Sequence, residues 1–296
     1  MDFIIGRRNL MIGVALAVPA LAGGRAAFGA ADDGDVGRRL AALEKITGGR
    51  LGVYVKDTAT GRSFGCRATE RFAMGSTFKT LAAACVLARV EAGKERLDRR
   101  IAYGPGALVP YSPVTQKYAG REGMTLAELC EAAITRSDNA AGNLLLQNIG
   151  GPERLTRWLR AIGDRSTRLD RIEPELNQAK EGDARDTTTP RAMAETLGAL
   201  LLGDVLSASN RERLAAWLVA SKTGEVRLRA GLPETWRVGD KTGTTGNGSV
   251  ADVAVAWPER PQPVLIAAYI GEATGPMKNL DTVFAEIGKL VAEKTG

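Results

Sequence analysis

Histidine is absent from all 296 residues, and its absence narrows the available chemistry before any motif is read. Without an imidazole there is no Ser-His-Asp relay and no His-ligated zinc, so a serine nucleophile would have to be served by lysine or carboxylate. Cysteine is scarce too: Cys66, Cys85 and Cys130 form no C-x-x-C pair, allow at most one disulfide and make no common zinc site without histidine. They read equally well as small buried hydrophobes. Aromatic residues are 5% of the chain and no Lys/Arg run is interleaved with them, which argues against a nucleic-acid partner. The apolar run from Leu10 to Ala22 falls short of the about 20 residues a membrane span needs. What remains, 44% hydrophobic and 25% charged residues, suits one large domain or two intimate lobes with a full core.

The N-terminus reads as an export signal over residues 1–31. A short basic region ends in Arg7-Arg8-Asn9-Leu10, the apolar run follows, and small residues lead to an expected cut after Ala31. Paired arginines before a leucine resemble a twin-arginine signal. Removing Arg7, Arg8 and Arg25 together with Asp2 takes the formal charge from +6 to +4, mild and scattered. The mature chain, 32–296, is expected to be periplasmic or secreted, monomeric and without a stable membrane span.

Past the signal, Val36, Leu40, Leu43 and Ile46 keep helical spacing until Gly48-Gly49. Leu51, Val53 and Val55 then alternate as a strand, with a turn near Asp57 to Gly61 and a second strand towards Cys66. The middle of the chain predicts helices at Thr77–Val90, Leu126–Ile134, Pro152–Ile162 and Arg191–Leu202. Strand signals return at Val250–Trp257 and Val264–Ile270, before a helix whose apolar residues are Leu280, Val283, Phe284, Ile287, Leu290 and Val291. Strands near both ends and helices between them predict an α+β fold, one antiparallel sheet with an inserted all-helical lobe. The lobes are expected over about 32–68 plus 221–296 and about 69–220, with the site in the cleft between them.

Four motifs carry chemistry. Ser76 and Lys79 share a helix face, close enough for the amine to take the hydroxyl proton, and Gly75 allows a tight entry to that helix. Ser137-Asp138-Asn139 and Glu173-Pro174-Glu175-Leu176-Asn177 follow. Lys-Thr-Gly occurs three times. Lys294 begins a copy at the chain end, expected to fray, and the copy at Lys222 lacks a strand. Lys241-Thr242-Gly243-Thr244 lies just before a strand and can form a sheet edge whose N–H groups and cation face a ligand.

In this order the motifs resemble those of class A serine β-lactamases, within the penicillin-recognising serine enzymes, from about Asp33 to the C-terminus. The resemblance implies a five-stranded antiparallel sheet flanked by terminal helices, and β-lactam hydrolysis through an acyl-serine intermediate, conferring antibiotic resistance, with a small-molecule substrate and no metal or cofactor. It makes Ser76 the nucleophile, Lys79 its partner, Ser137 the proton relay to the leaving nitrogen, and Asn139 the holder of the substrate side chain. Ser76 and Thr244 would supply oxyanion-hole N–H groups beside Lys241. Glu173 becomes the general base for deacylation and Asn177 the second ligand of its water, while acylation could use Glu173 or Lys79. Arg171 and Asp186 resemble the ion pair closing that loop. Thr242, Thr244 and Arg227 fall to the substrate carboxylate, the usual arginine position being Val250 here, and Tyr111 to the cleft mouth.

Two departures limit the spectrum. Gly75 and Thr245 stand where the carbapenem-hydrolysing branch has paired cysteines, so that activity is not supported. Cys85 lies two residues beyond Ala83, where the usual disulfide partner of Cys130 would be, turned about 200° around the helix, so a bridge is not assumed. The rival activities are a D-alanyl-D-alanine carboxypeptidase and a penicillin sensor that stays acylated; both lack the Glu173–Asn177 loop.

Overall fold

The computed structural model describes residues 30–296, with side chains from residue 34. Apart from Ala30 and Ala31, the expected export signal lies outside the described residues. Helix α1 (Ala30–Thr47) ends at Gly48, whose φ of 64° suits glycine, and strands β1 (Arg50–Asp57), β2 (Ser63–Cys66) and β3 (Phe72–Ala73) follow. The helical middle holds α2 (Phe78–Glu91), the two-residue strands β4 (Arg100–Ile101) and β5 (Met124–Thr125), α3 (Leu126–Thr135), α4 (Asn139–Ile149) and α5 (Pro152–Ala161). After β6 (Thr187–Thr188) come α6 (Pro190–Leu201), α7 (Ala208–Val219) and the single turn α8 (Leu228–Gly231). Strands β7 (Arg237–Thr244), β8 (Val250–Trp257) and β9 (Val264–Gly271), then α9 (Met277–Thr295), complete the chain.

The fold is α+β. Five strands form one antiparallel sheet in the order β2-β1-β9-β8-β7, with Lys241 opposite Val253 and Tyr54 opposite Ala267. Both faces are covered, which is why β8 and β9 read as nearly unbroken apolar runs. Ala251, Val253 and Val255 join the core shared with the helices; Val250, Ala254 and Ala256 join a second core under α1 and α9. All six apolar residues marked on the last helix are buried in that second core, each contributing about 1.5–3 kcal/mol.

The four predicted helices of the middle appear within a residue or so of their expected ends, and α4 and α7 are additional. The chain end departs from expectation. Rather than fraying, α9 runs through a buried Thr295, whose hydroxyl donates to the Val291 carbonyl at 2.8 Å while Arg260 caps the Thr295 carbonyl at 2.9 Å.

Candidate active site

Ser76 stands on a tight turn, Gly75–Thr77, that leads directly into α2. Gly75 enters it at φ 48°, and a Cβ there would come within 2.7 Å of Thr245 Cγ2. Strand β7 presses against this turn from the other side: a Cβ on Gly243 would lie 2.7 Å from the Met74 carbonyl and 3.4 Å from the Ser76 nitrogen. The two glycines therefore bring the backbones of Ser76 and Thr244 side by side at the sheet edge.

Lys79, one helical turn on and fully buried, gathers five oxygens. Its Nζ donates to Ser76 Oγ at 2.7 Å, to the Ser137 carbonyl at 2.8 Å, to Asn139 Oδ1 at 2.6 Å and, more distantly, to Ser137 Oγ at 3.5 Å. The fifth is Glu173 Oε1 at 3.1 Å. Burial pushes the Lys79 ammonium below the usual lysine range, against the pull of the Glu173 carboxylate. Lys241, equally buried on β7, is pushed down further, first by burial and then by the Lys79 charge. Its Nζ reaches Ser137 Oγ at 2.9 Å, so this hydroxyl stands between two lysines.

Ser137 sits at φ 54°, just before the N-cap of α4. That cap is Asp138, whose carboxylate accepts from the N–H groups of Ala141, Val114 and Thr115, each at 2.9 Å, and from the Thr115 hydroxyl at 2.9 Å. Asn139 then points Oδ1 at Lys79 and Nδ2 at the Pro110 carbonyl, 2.8 Å away.

Glu173 is held over the serine by its own backbone. Asn143 of α4 accepts from its N–H at 2.9 Å and donates to its carbonyl at 2.8 Å. Its Oε1 accepts from Ser76 Oγ at 3.4 Å and its Oε2 from Asn177 Nδ2. Asn177 Oδ1 is buried beside it with no hydrogen-bond partner, an acceptor fit for a water. Asp186 closes the loop below by accepting from Arg171 Nε at 2.5 Å and from the N–H groups of Asp170 and Arg171 at 2.8 and 2.9 Å.

A cavity of about 330 Å³ lies above this floor, lined by Ser76, Ser137, Asn139 and Asn177 on one side and Thr242, Thr244 and Arg227 on the other. Arg227 is buried: it donates to the carbonyls of Gly243 and Ala251 at 3.0 and 2.9 Å, to Thr244 Oγ1 at 3.1 Å and to Asp281 at 2.9 Å. Tyr111, 61% exposed, stands at the rim. All eleven residues singled out in the sequence therefore fall in or directly beneath one cleft.

Three contributors had no role assigned from the sequence, although Asp138 lies within its Ser-Asp-Asn motif. Asn143 and Asp138 act on backbone from a distance, with no local signal except the N-cap position of Asp138. Thr223 belongs to the Lys-Thr-Gly copy set aside for lacking a strand. The turn after α7 nonetheless puts Thr223 in the cleft wall, where its hydroxyl accepts from Thr242 at 2.7 Å. All three cysteines are free.

A serine touching a desolvated lysine, with a carboxylate poised above it and no imidazole anywhere, defines a serine hydrolase of the acyl-transfer kind. The β-lactamase enzyme family model matches residues 35–295, and the chain belongs to that family. It is 49% identical to β-lactamase AST-1 of Nocardia asteroides, over 87% of this chain and 83% of that one. It is 47% identical to the carbapenem-hydrolyzing β-lactamase KPC of Klebsiella oxytoca, over 88% and 89%. Among solved structures, an ancestral class A β-lactamase superposes with a TM-score of 0.86 at 61% identity, covering 88% of this chain and 99% of its own. The chain is thus a class A β-lactam hydrolase, an activity that confers antibiotic resistance.

Proposed function

We propose that Ser76 opens the lactam and that Glu173 clears the resulting ester. Ser76 Oγ attacks the lactam carbonyl carbon, the C–N bond breaks, the serine proton goes to Lys79 or Glu173, and Ser137 passes a proton to the departing nitrogen. Ser76 and Thr244 N–H groups hold the developing oxyanion, each such donor being worth about 3–4 kcal/mol. Lys241, Thr242, Thr244 and Arg227 receive the substrate carboxylate, Asn139 and Tyr111 its side chain. Glu173 then takes a proton from a water shared with Asn177, the hydroxide attacks the acyl carbon, the bond to Ser76 Oγ breaks, and the proton returns to Ser76 as the acid leaves.

The observation that carries this reading is Glu173, buried 3.4 Å from Ser76 Oγ with the unpartnered Asn177 Oδ1 beside it. The same residues argue against a carboxypeptidase or a sensor. We further propose one catalytic domain over 32–296, exported and monomeric, with lobes over about 32–68 plus 221–296 and about 69–220. Among the described residues no helix is long and apolar enough to cross a membrane. The contact between Gly75 and Thr245, without thiols, leaves carbapenems outside the proposed substrates.

Turnover of a chromogenic cephalosporin, followed with intact mass of Glu173→Ala, tests the roles. Many turnovers by the parent and a persistent adduct on Ser76 in the variant are expected. Adduct formation at the parental rate in Glu173→Ala would assign the acylation proton to Lys79. A single stoichiometric burst from the parent would overturn the assignment of Glu173.

A further inference from the structure

Away from the cleft, a second cavity of about 490 Å³ opens between α2 and α5. Its floor is apolar, made by Cys85 of α2, Ile149 at the end of α4 and Trp158 of α5. Its rim is cationic: Arg89, Lys94, Arg154 and Arg157 line it, and no carboxylate does. Arg157 is already paired with Glu153 at 2.5 Å. Among the described residues the other three have no ion-pair partner, and Arg89 Nε is buried without any hydrogen-bond partner.

A buried, unpaired N–H is a standing cost to the fold, and like charges around one cavity repel. A single anion at the rim relieves that repulsion, reached by the outer nitrogens of the arginines. The planar guanidinium matches carboxylate or sulfonate oxygens two at a time, whereas the floor of Trp158, Ile149 and Cys85 offers nothing to a small hydrated ion beyond the rim. The complementary ligand joins one acidic group to an aromatic body. We propose that this cavity is a binding site for small aromatic anions, aryl carboxylates or sulfonates, separate from the catalytic cleft.

Calorimetric titration of the mature protein with naphthalene-2-sulfonate tests it, with inorganic sulfate and the neutral sulfonamide as the anion-only and aryl-only probes. One saturable site is expected, weakened about tenfold by Arg89→Gln and likewise by the exposed Arg154→Gln. Thr244→Ala in the cleft should leave the affinity unchanged, and both control probes should bind at least about tenfold more weakly. Parental turnover and melting temperature in the two arginine variants confirm that they fold. The proposal is overturned by no saturable binding up to about 10 mM, by an affinity indifferent to both arginine variants, or by loss of binding in Thr244→Ala.

Discussion

Asp138 never faces the cleft, yet the serine before it and the asparagine after it both do, and its carboxylate fixes where they stand. Four donors converge on it from two segments, so removing it leaves three backbone N–H groups and a hydroxyl without their acceptor in the interior. Asp138→Ala is expected to lower unfolding free energy by about 3 kcal/mol or more in urea denaturation. A loss under about 1 kcal/mol would mean that water replaces the carboxylate and that the clamp is not what sets Ser137. The contrast with Ser76 and Lys79 shows what a sequence reveals at this scale. Those two lie one helical turn apart, so spacing alone pairs them, and the 2.7 Å contact follows. Asn143 and Thr223 reach their partners from 30 and 19 residues away; no local pattern marks Asn143, and the Lys-Thr-Gly copy holding Thr223 has no strand to single it out.

The loop carrying Glu173 is an element held from beneath rather than by a core of its own. Leu176 is its buried apolar anchor, and the Arg171–Asp186 pair with two backbone N–H bonds ties its ends. Asp186→Ala should therefore loosen the loop while leaving Ser76 and Lys79 on α2 untouched. Acylation is expected to stay within about threefold of the parent while deacylation slows by ten- to a hundredfold, since displacement by about 1 Å can cost that much. Pre-steady-state kinetics with a chromogenic cephalosporin separates the steps; equal slowing of both would show that the loop also positions Ser76. Among regular elements, sequence signals of capping marked two of the predicted helices. Helix α3 begins with a full capping box from Thr125 and Glu128, and α5 opens with proline. Helix α4 is amphipathic and capped too, by Asp138 and at Gly150, but its start coincides with a catalytic motif that reads as loop.

For the molecule as a whole, stability should rest on packing and not on a crosslink. Cys85 and Cys130 both face the helical core as free thiols, and Cys66 lies half-buried on β2. Burial pushes the Cys66 thiol up to about 11 and Cys85 up to about 12, with Arg89 opposing the latter, and raises Cys130 as well. The sign follows: between the ordinary thiol range and these raised values the folded chain keeps protons that the unfolded chain releases, so stability falls as pH climbs through that window. Buried Lys79 and Lys241 act in the opposite direction, because their lowered values let the unfolded chain hold the extra protons. Comparison of the parent with Cys85→Ala isolates one thiol from that balance. From pH 8 to about 10.5 the variant should lose about 2 kcal/mol less stability than the parent in denaturant titrations, and reductant should leave both melting temperatures unchanged. Parallel pH profiles would show that Cys85 ionises as readily folded as unfolded, and a melting temperature lowered by reductant would reveal a bridge that the free thiols exclude.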